Sequence, residues 1–358
     1  MPSFEHYNPV RVVFRDGAFD AVGALDQVRD RRCMFLGYAG FDHDRLAPLH
    51  KAASTLFIHD EFEENPSLAF VRRIASRIEA DNIDTILAVG GGSTIDTAKS
   101  SSYLSASPTW RPGDPPTGVT RCNIVAVPTT AGTGSEVSPY AILVDESGGK
   151  KILSDPVLYP AVAVCDPKLT HGMPRHVTAN TGVDALSHVV EAFLNKKCDG
   201  FMNALALDAL RLIRAGLPRA LSDPDDDKAR STMMLAALEG GFLLAACGTV
   251  IVHALGYGMS KEWELPHGHA NGLLLSSFVE LMARKGSDRA KQILDVFDNE
   301  LSGFIEETGI VRDPARHVLD DTLLSDWTEA GTKSYGINNG VETLSEDDVR
   351  YMLESSLS

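Results

Sequence analysis

The stretch "DTILAVGGGSTIDTAK", residues 84–99, constrains the fold more than any other part of the chain. A short run rich in apolar residues leads straight into three glycines, Gly90, Gly91 and Gly92, and then into a helical pattern. This reads as strand, glycine turn, helix. An uninterrupted apolar run fits a strand covered on both faces, as in parallel sheets. The same alternation recurs nearby. "RVVF" at 11–14, "RRCMFLG" at 31–37, "TLFIHD" at 55–60 and "CNIVAVP" at 122–128 read as further strands. "NPSLAFVRRIASRIEADN" reads as an amphipathic helix entered at Asn65-Pro66. Strands alternating with helices imply parallel βαβ units in a doubly wound sheet. The Pro- and Gly-rich segment 107–118 is a surface loop between two such units.

After about residue 175 the pattern becomes helical. "PRHVTANTGVDALSHVVEAFLN", "FMNALALDALRLIRAGLPRAL" and "NGLLLSSFVELMARKG" carry helical periodicity and little strand signal. A chain of 358 residues exceeds what one core usually serves. The expectation is an α/β nucleotide-binding domain over 1–175 and an all-α domain over 176–358. Apolar residues make up 44% of the chain, as in ordinary globular proteins. A net charge of −16 repels phosphate backbones and anionic lipid, so nucleic-acid and membrane partners are not expected. Anionic ligands must then be bound by local devices such as helix N-termini. Five scattered cysteines without paired spacing point to free thiols in a reducing compartment. The first residues show no apolar signal core, and a cytoplasmic location is expected. The acidic cluster at 223–227 reads as a solvated helix entry.

The glycine turn at 90–92 lets the backbone approach a ligand closely, and Ser93 or Thr94 is placed to cap the helix. Such a helix start binds phosphate. A tight turn without ligand fits GGGS equally well, and the GxGxxG fingerprint is absent. A second stretch, "PTTAGTGS" at 128–135, packs three threonines, two glycines and a serine into eight positions. That density of hydroxyls suits hydrogen bonding to a ribose, a phosphate or a carboxamide.

In "TGVDALSHVVEAF", Asp184 and His188 stand four apart and share a helix face. Alone, this is more often an ordinary helical pair. The segment "IVHALGYGMSKEWELPHGHA" then adds His253, His267 and His269 within twenty positions. One carboxylate and three imidazoles suit Fe²⁺ or Zn²⁺ rather than Ca²⁺ or Mg²⁺. A metal so held acts as a Lewis acid on an oxygen.

The motifs "GGGSTIDTAK", "PTTAGTGSEV", "TGVDALSHVVEAF" and "H…PHGHAN", in this order, resemble the iron-containing (group III) alcohol dehydrogenases. The resemblance spans nearly the whole chain. It implies the dehydroquinate synthase-like fold, an α/β domain followed by a helical one with the active site in the cleft between them. It makes Asp184, His188, His253 and His267 the metal ligands. Gly91, Gly92, Ser93 and Asp96 become the pyrophosphate loop and its support. Thr129, Thr130 and Thr133 face the ribose and nicotinamide end, with Asn65 also near the cofactor. Lys150 or Lys151 matches the family's lysine after a β-hairpin. His269 matches no ligand position and is either a cleft-wall residue or a histidine satisfied elsewhere.

The implied activity is interconversion of a small aldehyde and its primary alcohol with NADP(H) or NAD(H), on Fe²⁺ with Zn²⁺ as the other candidate. A homo-oligomer is implied. Alternatives are a maleylacetate reductase, a polyol dehydrogenase of the glycerol type, a dehydroquinate synthase-type lyase, or an inactive nucleotide-binding protein. Two departures from the family pattern bear on mechanism. Tyr257 stands where many members have a second histidine, which makes it the candidate catalytic residue and resembles the phosphonoacetaldehyde reductase-like branch. "FLGYAG" replaces the usual acid at the end of the second strand, so NADPH is expected to be accepted unless Asp42 folds back to supply that acid. Lys333, in a Gly- and Asn-rich segment, is a candidate partner for an anionic substrate tail.

Overall fold

The computed structural model describes residues 4–357. The chain divides into two compact units. One holds residues 7–130 and 135–170; the other holds residues 4–6, 131–134 and 171–357.

The first unit is a six-stranded, all-parallel sheet. Its strands are β1 (Arg11–Phe14), β2 (Arg32–Leu36), β3 (Thr55–His59), β4 (Thr85–Gly90), β5 (Asn123–Pro128) and β8 (Val162–Cys165), in the order β1-β8-β5-β4-β2-β3. Between β5 and β8 the chain makes an antiparallel hairpin of β6 (Tyr140–Val144) and β7 (Lys150–Ser154). Successive residues of a strand point to opposite faces. Accordingly Cys33, Phe35, Leu87, Val89, Val125 and Val127 enter one core with the short helix α1 (Ala47–Ala52) and the segment before β2. Met34, Leu36, Ile86, Ala88, Ile124 and Ala126 enter the other, under α2 (Leu68–Ala80) and α3 (Gly92–Ala106). Both faces are covered, which explains why the strands read as continuous apolar runs rather than alternating ones.

Two helix starts differ from the sequence expectation. Asn65-Pro66 does not open α2; Asn65 has a left-handed φ of 50°, and Ser67 is the N-cap, its Oγ accepting from Phe70 N at 3.1 Å. Ser93 and Thr94 do not cap α3. The helix begins at Gly92 with Gly91 as N-cap and no side-chain cap. Thr94 instead packs beneath the turn, so a Cβ on Gly90 would meet Thr94 Cβ at 2.7 Å.

The loop after β5 is anchored to α3 from below. Lys99, wholly buried, donates from Nζ to Ser135 O (2.6 Å), Ser135 Oγ (2.9 Å), Ser138 O (2.9 Å) and Tyr140 O (2.8 Å). One turn earlier, Asp96 accepts from Ser135 Oγ at 2.6 Å and from Ile142 N at 2.9 Å. Burial lowers the Lys99 pKa to about 8 against the pull of Asp96 and Glu136.

The second unit is helical, with α4 (Arg175–Phe193), α5 (Gly200–Ser222), α6 (Asp227–Cys247), α7 (Val252–Glu262), α8 (His267–Arg284), α9 (Asp288–Val296), α10 (Leu301–Glu307), α11 (Asp321–Thr332) and α12 (Glu346–Leu357). From Gly182 to Phe193 every residue of α4 is buried, because α5, α6 and α8 enclose it. Glycines permit the closest approaches. A Cβ on Gly268 would meet Asp184 Cβ at 3.1 Å, and one on Gly256 would collide with the Asn271 amide. The inserted residues 131–134 pack here too, with Gly134 (φ 64°) against the Gly241 backbone. Among the described residues no single helix is long and apolar enough to cross a membrane. All five cysteines are buried and unbridged.

Candidate functional site

The middle of α4, the start of α7 and the start of α8 converge inside the helical unit. Their close approach brings Asp184, His188 and His253 together, with one ligand atom from each lying within 4.8 Å of the others. All three are at least 94% buried. His267, first residue of α8, brings Nε2 to 3.9 Å from Asp184 Oδ1; His253 Nε2 lies at the same distance. The His188 and His253 rings stack at 4.5 Å, and His253 meets His267 edge-on at 5.2 Å. Three of the four residues read from the sequence as ligands thus form one cluster, and His267 stands at its edge.

Buried polar atoms normally find partners. Here Nδ1 of His188 and Nε2 of His253 have none. One carboxylate, three imidazoles and orphaned buried nitrogens are what a divalent transition metal would satisfy. Burial pushes the His188 pKa down to about 4, despite the nearby Asp184 carboxylate, so this ring is neutral and able to donate a lone pair. Burial works in the same direction on His253, but the carboxylates of Glu191 and Asp184 outweigh it and hold that pKa above its usual value.

Two residues of the cluster were not singled out in the sequence. Glu191, fully buried on α4, accepts from Val250 N and Val252 N (both 2.8 Å) and from His253 N (3.2 Å), and its Oε2 is paired with His253 Nδ1. It stands seven residues after Asp184 and three after His188, on the same helical face, and that spacing was the available signal. Asn271, also fully buried, places Nδ2 at 3.4 Å from Asp184 Oδ1, 3.3 Å from Ser187 Oγ and 3.3 Å from His267 Nε2. It lies one turn after His267. Tyr257, one turn after His253, lies flat on the His267 ring. His269 turns away, its Nε2 bonded to Val311 O at 3.0 Å, so it is a satisfied histidine outside the cluster. Lys333 is exposed and ion-paired with Glu329 one turn earlier.

The sheet unit gathers Gly91, Gly92, Ser93, Thr129 and Thr130 at the C-terminal ends of its strands, where ligands bind in open α/β sheets. Gly91 and Gly92 begin α3. A Cβ on Gly91 would meet the Thr130 side chain at 3.3 Å, so Thr130 overhangs the glycine turn. Ser93 Oγ accepts from Asn65 N at 3.3 Å. The Tyr38 hydroxyl, at the end of β2, hydrogen-bonds Thr129 at the end of β5, with β4 between them. The 15-residue helix α3 has no side-chain cap, which leaves its first amides for an anion such as pyrophosphate. Asp96 engages both its carboxylate oxygens and supports the 135–142 loop from within α3. Lys150 and Lys151 lie within β7 rather than after the hairpin, and Lys151 pairs with Asp145 at 3.4 Å. Thr133 falls in the short segment that groups with the helical unit.

Two family models match the chain. "Iron-containing alcohol dehydrogenase" matches residues 9–167, and "Fe-containing alcohol dehydrogenase family, C-terminal" matches residues 178–320. The chain belongs to the iron-containing alcohol dehydrogenase family. It is 32% identical to the probable alcohol dehydrogenase EutG of Salmonella typhimurium, over 80% of this chain and 75% of that one. It is 35% identical to the probable alcohol dehydrogenase EutG of Escherichia coli K12, over 64% of this chain. That match spans 59% of the Escherichia coli protein's length. Among solved structures, an iron-containing alcohol dehydrogenase from Thermotoga maritima superposes with a TM-score of 0.90 at 30% identity, covering 99% of both chains.

Proposed function

We propose that this chain is a metal-dependent, nicotinamide-linked oxidoreductase that interconverts a small aldehyde and its primary alcohol. The observation that carries the reading is the buried Asp184–His188–His253 group with His267 beside it and unpartnered imidazole nitrogens inside it. When bound there, a divalent metal supplies Lewis-acid polarisation of a substrate oxygen, and a nicotinamide supplies or takes up the hydride.

The chain's own residues do the rest. Asp184, His188, His253 and His267 are the ligand set. Asn271 holds Asp184 and His267 in register through its amide. Tyr257 braces His267 and offers a hydroxyl for proton transfer beside it. On the nucleotide side, Gly91, Gly92 and Ser93 receive pyrophosphate at the α3 start, while Asn65, Thr129, Thr130 and Thr133 border the cofactor and Asp96 supports the loop. Lys150 or Lys151 supplies a cation from the hairpin.

The adenine ribose falls at the end of β2, the strand beside β4. No acid stands in "LGYAG", and Asp42 is engaged as an N-cap, accepting from Asp44 N at 3.0 Å. The site therefore accepts NADPH. Elemental analysis of purified protein, followed by NADPH and NADH oxidation with a panel of short aldehydes under anaerobic Fe²⁺, tests the reading. Absence of bound metal together with no turnover of any aldehyde would remove it.

A further inference from the structure

The start of α7 has no cap of its own: Ile251, its N-cap residue, offers no side-chain acceptor. The acceptor comes from α4. Glu191 Oε1 takes the amides of Val250 and Val252, and Oε2 takes both the amide and the ring Nδ1 of His253. One fully buried carboxylate thus serves as the cap of a helix 59 residues away in sequence (Val250) and as the partner of that helix's ligand histidine.

We propose that Glu191 is a positioning residue that fixes the tautomer of His253 and so creates the lone pair that binds metal. An ionised carboxylate only accepts hydrogen bonds, so Nδ1 must carry the proton. The neutral ring then presents an unprotonated Nε2. That nitrogen is the atom without a partner, 3.9 Å from Asp184 Oδ1. Ligand histidines are commonly oriented by a carboxylate on the far nitrogen. The second duty is particular to this arrangement: helix cap and tautomer lock are the same two oxygens, so the 248–253 bend and the ligand geometry are set together. The inference rests on the metal reading, but the position of the His253 proton is measurable without metal.

Glu191→Gln separates the two duties. The amide oxygen can still accept from Val250 and Val252 as Oε1 does. The amide nitrogen would then donate to His253 Nδ1, which moves the ring proton to Nε2 and points it at the metal position. Glu191→Asp keeps an acceptor-only group, one methylene shorter. The experiment is ¹⁵N-histidine NMR of the metal-free proteins at alkaline pH, with Co²⁺ titration followed by visible absorbance and a thermal melt of each variant.

The expected result is an Nδ1–H ring in the wild type and in Glu191→Asp, and an Nε2–H ring in Glu191→Gln. Co²⁺ affinity in Glu191→Gln should fall by about 10–100-fold. An Nδ1–H ring and wild-type Co²⁺ affinity in Glu191→Gln would overturn the proposal and leave Glu191 as a helix cap alone. If Glu191→Gln does not fold, Glu191→Asp decides: an Nδ1–H ring supports the lock, and an Nε2–H ring overturns it. If the wild type itself binds no Co²⁺, the metal reading fails, while the tautomer comparison still decides the role of Glu191.

Discussion

Tyr257 lies parallel to His267, with ring centroids 4.8 Å apart and planes 8° from coplanar. The aromatic face restricts rotation of an imidazole that stands at the first position of α8. It also puts a phenol beside the candidate ligand set. Tyr257→Phe should keep the stack and the bound metal, and lower kcat by about tenfold or more if the hydroxyl moves a proton. Tyr257→Ala should also loosen metal. Metal content and steady-state kinetics of both variants measure this; unchanged turnover in Tyr257→Phe would reduce the residue to a packing role.

Alanine at His188, His253 or His267 removes one of the four proposed ligands. Each variant is expected to lose metal and activity together, because affinity depends on ligand count and preformed geometry. Asp184→Asn keeps the shape, removes the charge and should bind metal more weakly than the wild type. Elemental analysis after dialysis against a mild chelator is the measurement. Four variants with wild-type metal content would show that the cluster is not the binding site.

The ribose end of the nucleotide edge predicts acceptance of NADPH with modest selectivity. Asp42 is engaged as a cap, and Tyr38 spans toward Thr129. Tyr38→Asp would introduce a carboxylate that pairs with a ribose diol and repels a 2′-phosphate. The ratio of kcat/KM for NADPH over NADH should fall in that variant. A strong NADH preference in the wild type would mean that an acid reaches the ribose from elsewhere.

Lys99 satisfies three backbone carbonyls and one hydroxyl in a fully buried position. Lys99→Met matches its length but leaves those acceptors and Asp96 without the cation. Breaking a buried charge network in this way costs about 3–5 kcal/mol. Chemical denaturation should register a loss of that order, and weaker nucleotide binding should accompany it as the 128–135 loop loosens.

Glu239 on α6 is buried near Asp208, and burial first, then that neighbouring charge, raises its pKa to about 7. A carboxyl with a raised folded-state pKa binds more protons folded than unfolded between the two values. Its favourable contribution is therefore complete below about pH 4.5 and lost as pH rises through about 7. Glu239→Gln should melt higher than the wild type at pH 8, by roughly 2–4 °C for a gain of about 1 kcal/mol. The difference should shrink toward pH 5. Equal shifts at both pH values would contradict the sign.

Much of the sheet was legible because burial on both faces leaves an apolar run that no surface element produces. The cluster of Asp184, His188, His253 and His267 was legible because ionisable residues interrupt otherwise apolar helices. The start of α3 was misread for a physical reason. Three consecutive glycines allow several helix starts; α3 begins at Gly92 with Gly91 as N-cap, and Thr94 packs against Gly90 instead of capping. Asp96 was legible only through the family resemblance, because the partners of its two oxygens, Ser135 and Ile142, lie far along the chain. Glu191 stood in plain view within "SHVVEAF". Its partners lie some sixty residues on, and a glutamate on a helix gives no sign of capping another one.

The four residues 131–134 are contributed to the helical unit by a stretch of chain that otherwise builds the sheet. Ala131 enters the helical core, a Cβ on Gly132 would press on Thr181 at 2.7 Å, and the Gly132 backbone hydrogen-bonds His188. No single cut in the gene can therefore excise the unit that holds the proposed metal site intact. A recombinant fragment starting at residue 171 would lack the strip that lies against His188. It is expected to recover its metal affinity only when the missing peptide is supplied in trans or spliced back through a designed linker.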